Sequence, residues 1–162
     1  MVVVSDTTVI SNLLHINKIS WLQDLFDEVL IPPSVARELA VSFGTHPTFP
    51  LQEPDSWLLI RVPQNLAGIQ SIRSRLDQGE AEAIILALEH KADFLLVDEL
   101  LGRKEAMKKG LRVLGTLGIL MKAKQMGLTK EIRPLMDRLI EKGFWLHPSL
   151  YQEVLKDAGE ST

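Results

Sequence analysis

The sequence predicts an α/β fold of three layers, with a central parallel sheet of four to five strands between helices. Two observations lead to this prediction. Residues 1–5 and 94–97 form apolar runs too continuous for a sheet with one face in water, so both strands are expected to be covered on both faces. Strand-like and helix-like segments also alternate along most of the chain, which implies right-handed crossovers between parallel strands.

The elements of the first half follow from apolar periodicity and from the residues that end or cap each segment. A strand pattern that runs into Asp6 is followed by apolar residues at helical spacing. Two prolines close the second strand, and Ser34 is expected to cap the next helix. The predicted elements are strands at 1–5, 28–31 and 57–62, helices at 9–16, 19–26, 35–43 and 67–76, and a proline-rich flexible loop at 44–56.

The second half contains the clearest helix, which Asp77 is expected to cap and whose apolar stripe is Ala81, Ile84, Ile85 and Leu88. Thr116 and Thr129 are expected to begin two of the later helices, and Pro148 a third. The predicted elements are strands at 94–97 and 111–114 and helices at 78–88, 102–109, 117–126, 129–142 and 148–158. The last three make a helical C-terminal extension.

Length and composition favour one domain over residues 1–162, with a core of sheet and helices at 1–115 and C-terminal helices at 116–160. The chain has no cysteine, which excludes disulfides and thiolate zinc sites and fits a reducing compartment. Its longest apolar run, residues 83–88, is far shorter than the roughly 20 residues of a membrane span. We therefore expect a cytoplasmic protein with no membrane association. A net charge of −3 argues against broad nonspecific nucleic-acid binding but leaves room for a local basic patch.

Acidic residues follow the two strands expected at the centre of the sheet. Asp6 comes after the first strand and Asp98 after the strand at 94–97, and ligands in open parallel sheets bind beyond such strand ends. Glu38 and Glu80 lie near the starts of two helices that are expected to begin at the same edge. The sequence therefore predicts a cluster of four carboxylates. Two further acids are alternates for the same site, namely Glu82 and Glu99.

Carboxylates about 5 Å apart repel by roughly 3 kcal/mol per pair at an effective dielectric constant of about 20, so the cluster requires protons or a cation. Oxygen ligands without cysteine or paired histidines favour Mg²⁺ or Mn²⁺ over zinc. The chemistry that uses such a centre is phosphodiester hydrolysis.

Each candidate also has a structural interpretation. Asp6 and Asp98 are suited to capping helices. Glu38 is suited to a solvated helix face or an ordinary ion pair. Glu80 is suited to a capping box with Asp77.

The neighbouring polar residues are candidates for substrate binding. Arg103 and Lys104 begin a basic segment that is suited to holding phosphates, or simply to forming a solvated helix, and Thr7 and Ser11 lie beside Asp6. The three tryptophans are expected in the core or at an interface.

Four stretches in this order resemble the PIN-domain superfamily. They are VVSDTT at 3–8, PPSVAREL at 32–39, GEAEAI at 79–84 and LLVDE at 95–99. The continuation GLRV at 110–113 and GTLGIL at 115–120 is similar to its prokaryotic VapC-like branch, a domain of unknown function of the DUF3368 type. The resemblance implies a PIN-like sheet flanked by helices and a nuclease centre that uses Mg²⁺ or Mn²⁺.

The resemblance places Asp6, Glu38 and Asp98 on the acidic positions of the family, and the remaining position matches Glu80 best and Glu82 next. It implies an endoribonuclease that cuts single-stranded RNA, as the toxin of a toxin–antitoxin pair with a small antitoxin protein, and often a homodimer. A noncatalytic PIN-like module that binds nucleic acid or protein is the alternative. A third interpretation, phosphotransfer with Asp6 as nucleophile, is weakened by a threonine at position 8 where that motif has a second acid.

Overall fold

A computed structural model of the chain describes residues 1–46 and 56–160, and these form the predicted three-layer α/β/α architecture. Within them, five parallel strands make one sheet in the order β3-β2-β1-β4-β5. The strands are β1 Val3–Ser5, β2 Val29–Ile31, β3 Leu58–Ile60, β4 Phe94–Leu96 and β5 Val113–Leu114. The expected sheet of four to five strands is thus confirmed. Most of the loop predicted at 44–56 lies outside the described residues.

The first strand occupies the centre of the sheet, where β1 pairs with β2 on one side and with β4 on the other. Val3 lies opposite Val29 and Phe94 in these two pairings. Val3 and Val4 are both fully buried, although successive side chains point to opposite faces of a sheet. Both faces of the central strand are therefore covered, as the continuous apolar runs predicted.

Helices cover the two faces of the sheet unequally. The described helices are α1 Thr7–His15, α2 Trp21–Phe26, α3 Pro33–Phe43, α4 Leu66–Arg73, α5 Gln78–Glu89, α6 Leu100–Lys108, α7 Thr116–Gln125, α8 Arg133–Glu141 and α9 Pro148–Asp157. Apolar residues of α1, α2, α3 and α7 to α9 share one core with Val3 and Leu96. Those of α4, α5 and α6 share the other core with Val4 and Leu95. No helix in these described ranges is long and apolar enough to cross a membrane.

Three residues that the sequence predicts to cap or begin a helix have other places in the structure. Ser34 lies inside α3 rather than capping it, because Pro32 occupies the N-cap position and the helix begins at Pro33. Thr116 is the first residue of α7, and its hydroxyl is directed to a carboxylate instead of to the helix backbone. The helix expected from Thr129 begins only at Arg133. A proline in the first turn suits this later start, since a proline has no N–H to leave unpaired there.

The start of α8 is fixed by the end of the chain. The Glu160 carboxylate accepts hydrogen bonds from the backbone N–H groups of Ile132 and Arg133 at 2.8 and 3.1 Å. The same carboxylate accepts one from the Lys124 ammonium at 2.8 Å. A charge 27 residues beyond Arg133 therefore supplies the cap that local sequence does not. The apolar stripe of α5 differs from its prediction in a smaller way: Ala81, Ile84 and Ile85 are buried, whereas Leu88 is exposed.

Candidate functional site

Asp6 begins the site at the carboxyl end of the central strand. Its Oδ1 accepts a hydrogen bond from the Val9 N–H at 3.3 Å, so the residue does cap α1. Its own N–H donates to the Leu96 carbonyl of β4 at 3.0 Å. The side chain is 2% exposed, and Oδ2 is buried with no hydrogen-bond partner among the described residues. Burial, reinforced by the negative charge of Asp98, raises the pKa of Asp6 well above its usual value.

Glu80 lies in the first turn of α5 and forms the predicted capping box. Its N–H donates to Asp77 Oδ1 at 2.8 Å, and its Oε1 accepts from the Asp77 N–H at 3.4 Å. Its Oε2 is buried and finds no donor in the described part of the chain. Burial first, and the charge of Asp77 second, raise the pKa of Glu80 to about 7. We call Asp6 Oδ2 and Glu80 Oε2 the two open oxygens.

A glycine makes room for the second of these oxygens. A Cβ built on Gly102 of α6 would lie 2.8 Å from Glu80 Oε2 and 3.1 Å from a methyl carbon of Val97. Any side chain at position 102 would therefore push against the Glu80 carboxylate. The close approach of α6 also explains why this carboxylate is shielded from water.

Glu38 completes a pocket with these two acids. The Thr7 hydroxyl donates to Glu38 Oε2 at 2.5 Å, which ties α3 to the start of α1. The pocket has a volume of about 80 Å³. Its lining residues are Asp6, Thr7, Thr8, Glu38, Asp77 and Glu80. The structure thus brings together three of the four predicted acids, with Asp77 as a fourth carboxylate that the sequence had indicated only as a cap.

Asp98 has different surroundings. The Thr116 N–H donates to Asp98 Oδ1 at 2.7 Å, and the Thr116 hydroxyl donates to Oδ2 at 2.6 Å. The Asn12 amide donates to the same Oδ2 at 3.0 Å and also contacts the Thr116 hydroxyl at 3.1 Å. We call Asn12 and Thr116 the Asp98 clamp. Asp98 lines a second, larger pocket of about 680 Å³, and its charge contributes to the raised pKa of Asp6.

The hydrogen bonds of the clamp to Asp98 were not predicted from the sequence. Asn12 lies on the buried side of α1, among apolar residues, and is separated from Thr116 by 104 residues. A buried amide usually has hydrogen-bond partners, so an asparagine within an apolar helix face was the available signal. Which distant group Asn12 would contact could not be inferred from local sequence.

The alternate acids lie outside the pocket around Asp6. Glu82 is half-buried on α5, and its Oε2 is buried with no partner in ranges 1–46 and 56–160. Glu99 is exposed at the N-cap position of α6 and lines the larger pocket beside Asp98.

The structure separates the four residues predicted to bind substrate. Thr7 lines the acidic pocket, and Arg103 lines the larger pocket, where its Nη1 donates to the Val97 carbonyl at 3.1 Å. Lys104 faces a different depression, which it shares with Arg75 and Lys108. Ser11, further along α1, is not among the residues that line the acidic pocket.

The donor atoms fit a divalent cation, although they are not gathered around one. In the described ranges, no three acidic or imidazole side chains are grouped closely enough to hold a metal ion. Asp6 and Glu80, which carry the two open oxygens, nevertheless line a pocket whose other acidic residues are Glu38 and Asp77, and carboxylates are the ligands that hard cations prefer. Burial first, and the charges of neighbouring acids second, raise the pKa values of Asp6 and Glu80, so both carboxyl groups favour the protonated form more than they would in water.

A parallel sheet with an acidic pocket at the carboxyl end of its central strand defines an α/β protein with a carboxylate-lined site. The chain belongs to the DUF3368 family of PIN domains, whose family model matches residues 2–160. No curated protein and no solved structure gives a significant match. PIN domains are generally nucleases and typically use divalent metals, so family membership supports a hydrolase of the nuclease type.

Proposed function

We propose that the protein is a metal-dependent endoribonuclease that hydrolyses phosphodiester bonds in single-stranded RNA. The pair of open oxygens, Asp6 Oδ2 and Glu80 Oε2, is the observation that carries this proposal. A buried oxygen that accepts no hydrogen bond is costly unless it gains a proton or a cation. In a PIN domain, a divalent cation is the partner that accounts for both oxygens at once.

Asp6, Glu38, Glu80 and Asp98 are the residues that would hold Mg²⁺ or Mn²⁺. When bound, such an ion supplies an activated water and neutralises charge on the phosphate. The chain itself orients the ligands: the Val9 N–H fixes Asp6, and the Thr7 hydroxyl fixes Glu38. The clamp holds both oxygens of Asp98 in place.

Substrate binding is assigned to the side of the site that carries positive charge. Arg103 shares the larger pocket with Asp98, and it is the candidate for holding a phosphate next to the acids. Thr7 and Ser11 are proposed as hydroxyl contacts to the strand. Lys104 lies farther away, so it is proposed to contact a phosphate outside the pocket.

The biological role is proposed from the resemblance to the VapC-like branch. In this proposal the protein is the toxin of a toxin–antitoxin pair and acts on RNA in the cytoplasm. A small antitoxin protein would keep it inactive, and two copies would form a homodimer. The apolar faces of the C-terminal helices support the dimer, since Ile140 and Leu150 are exposed there.

The test is cleavage of a mixed single-stranded RNA pool by the wild type and by Asp6→Asn, purified identically and free of any partner. We expect Mn²⁺-dependent products from the wild type, no products in EDTA and none from the variant. Asp24→Asn is the matched control, because it is the same substitution at an exposed residue of α2 that is not among the lining residues of either pocket. If Asp6→Asn cut as fast as the wild type, this centre would not be the nuclease site. A parallel DNA pool tests the choice of nucleic acid.

One observation favours a second candidate, a noncatalytic module that binds nucleic acid or protein. Both Asp98 oxygens already accept hydrogen bonds, and no metal-binding group is assembled in the part of the chain that the structure describes. RNA binding in EDTA that Asp6→Asn leaves unchanged, together with no cleavage in Mn²⁺, would favour this candidate over the nuclease.

A further inference from the structure

One of the three tryptophans is far more exposed than the other two. Trp21 and Trp57 are buried in the core around Val3, as the sequence predicted for these aromatics. Trp145, between α8 and α9, is 79% exposed. Burial of its large apolar surface is the usual way in which a tryptophan stabilises a protein, and an exposed indole ring does not contribute in this way. An exposed tryptophan is therefore a candidate for contact with a bound molecule.

Trp145 lines the larger pocket, which Asp98 of the candidate centre also lines. The other charged lining residues are Glu99 and Arg103, and Phe144, Leu117 and Leu150 contribute to the apolar wall. The volume of about 680 Å³ falls within the usual range for small-molecule sites, roughly 300–1,000 Å³. Because Asp98 belongs to both the pocket and the candidate centre, anything bound in this groove lies beside the acids.

We propose that this groove binds an unpaired nucleobase, which stacks on Trp145 while an adjoining phosphate meets Arg103. The inference rests on the proposed nuclease function, and it adds a specific recognition site to it. Base stacking on an aromatic side chain requires a free face of the base, which a paired and stacked duplex does not offer. The groove would therefore make the protein select single-stranded nucleic acid.

Arg103 provides the groove with a cation that a phosphate can meet, beside the acids Asp98 and Glu99. Arg103 uses Nη1 to donate to the Val97 carbonyl, which is one of the five N–H donors of a guanidinium. A phosphate can accept from the others while the base extends toward the indole ring. His147 contacts Trp145 edge-on with ring centroids 6.1 Å apart, which supports the ring from one side.

Intrinsic fluorescence and anisotropy can test the stacking site directly. The wild type in EDTA is titrated with a short single-stranded RNA of mixed sequence, while tryptophan emission and the anisotropy of a labelled copy are recorded. We expect the emission of the exposed tryptophan to be quenched, and a duplex of the same sequence to quench it much less. Trp145→Ala should weaken binding by about 5- to 100-fold, the range typical of one lost base–aromatic stack.

Two variants separate stacking from general disturbance of the protein. Trp145→Phe keeps an aromatic face and should restore most of the affinity. Met126→Ala removes another exposed apolar side chain, at the opposite end of α7 from Asp98, and should bind like the wild type. Because Trp145 is exposed, we expect the thermal melting of Trp145→Ala to match that of the wild type.

The outcomes distinguish this inference from the proposed nuclease activity. If Trp145→Ala binds RNA like the wild type and Mn²⁺-dependent cleavage persists, the stacking site is wrong and the nuclease remains. If single strands quench the wild type through Trp145 but nothing is cut, the stacking site stands without the nuclease. If single-stranded RNA does not bind and an apolar peptide occupies the groove instead, the inference is overturned in favour of a protein partner.

Discussion

The predicted acids differ in how many hydrogen bonds their carboxylate groups accept. Asp98 accepts three hydrogen bonds from the clamp formed by Asn12 and Thr116. Asp6 and Glu80, a short distance away along the same edge of the sheet, each carry one of the open oxygens. The protein therefore supplies donors to both oxygens of one carboxylate and leaves one oxygen on each of the other two without a donor in the described residues.

This difference suggests that the four predicted acids do not all have the same role. Hydrogen bonds to a carboxylate favour its charged form, whereas burial without donors favours the protonated form. Asp98 is accordingly a side chain whose position the clamp fixes before anything binds. Asp6 and Glu80 are the groups whose charge and free energy change when a cation or a proton arrives.

The largest expected effect is a pair of opposite changes in stability. Asp6→Asn should raise the free energy of unfolding in EDTA at pH 7.5 by about 1–2 kcal/mol, because it removes an unbalanced buried charge. Asp98→Asn should lower it by about 1–3 kcal/mol, because the amide cannot accept all three clamp hydrogen bonds. Both should reduce cleavage by more than about 1,000-fold. Urea unfolding measures the changes in stability, and single-turnover assays measure the changes in cleavage. Destabilisation by Asp6→Asn would contradict the claim that Asp6 and Asp98 differ in this way.

A smaller effect is expected from the clamp itself. Thr116→Val keeps the shape of the side chain but removes the hydroxyl that donates to Asp98 Oδ2 at 2.6 Å. We expect a loss of about 1–2 kcal/mol in stability and a fall of about tenfold in cleavage. Thr129→Val is the control, because the Thr129 hydroxyl forms only a local exposed contact with the Glu131 carbonyl. Equal effects of the two variants would show that the clamp does not position Asp98.

The third effect is a change in the pH dependence of stability. In the unfolded chain Glu80 loses its proton near its ordinary pKa of 4.5, whereas the folded protein retains that proton up to a pKa of about 7. The free energy of unfolding in EDTA should therefore fall as the pH rises through this window. In Glu80→Gln, the fall in the free energy of unfolding over this pH range should be smaller by about 2 kcal/mol. Urea titrations from pH 4.5 to 7.5 measure the slope, and an unchanged slope would show that Glu80 is ordinarily solvated.

The smallest effect is expected at the exposed acid. Glu99→Gln should change stability by less than about 0.5 kcal/mol and cleavage by less than about threefold, since Glu99 lies outside the acidic pocket. If Glu99→Gln lost cleavage while Glu80→Gln remained active, Glu99 and not Glu80 would be the fourth acid of the site. The same assay on Glu82→Gln tests the remaining alternate.

The parts of the fold that the sequence predicted are those coded within a few neighbouring residues. The strands around Val3 and Leu95 are short apolar runs, and each is followed by its acid, so sheet and edge could be inferred together. The capping box is likewise local, because Asp77 and Glu80 are only three positions apart. Such features depend on geometry that neighbouring residues determine by themselves.

The missed features depend on contacts between distant residues. The clamp joins Asn12 to Thr116, and the start of α8 depends on Glu160. Lys104 and Arg103 are adjacent in sequence but line different depressions, because adjacent side chains on a helix point in different directions. Short-range patterns could not show which of these two cations would face the acids.

The central place of β1 has a consequence for synthesis on the ribosome. Val3 pairs with Phe94, so β1 waits for about ninety further residues to be synthesised before its neighbour β4 exists. Asp6 and Asp98 therefore meet only after residue 98 has been translated, and the clamp needs Thr116 as well. A nascent chain interrupted before Phe94 contains every residue that lines the acidic pocket, but it lacks Asp98 and the clamp.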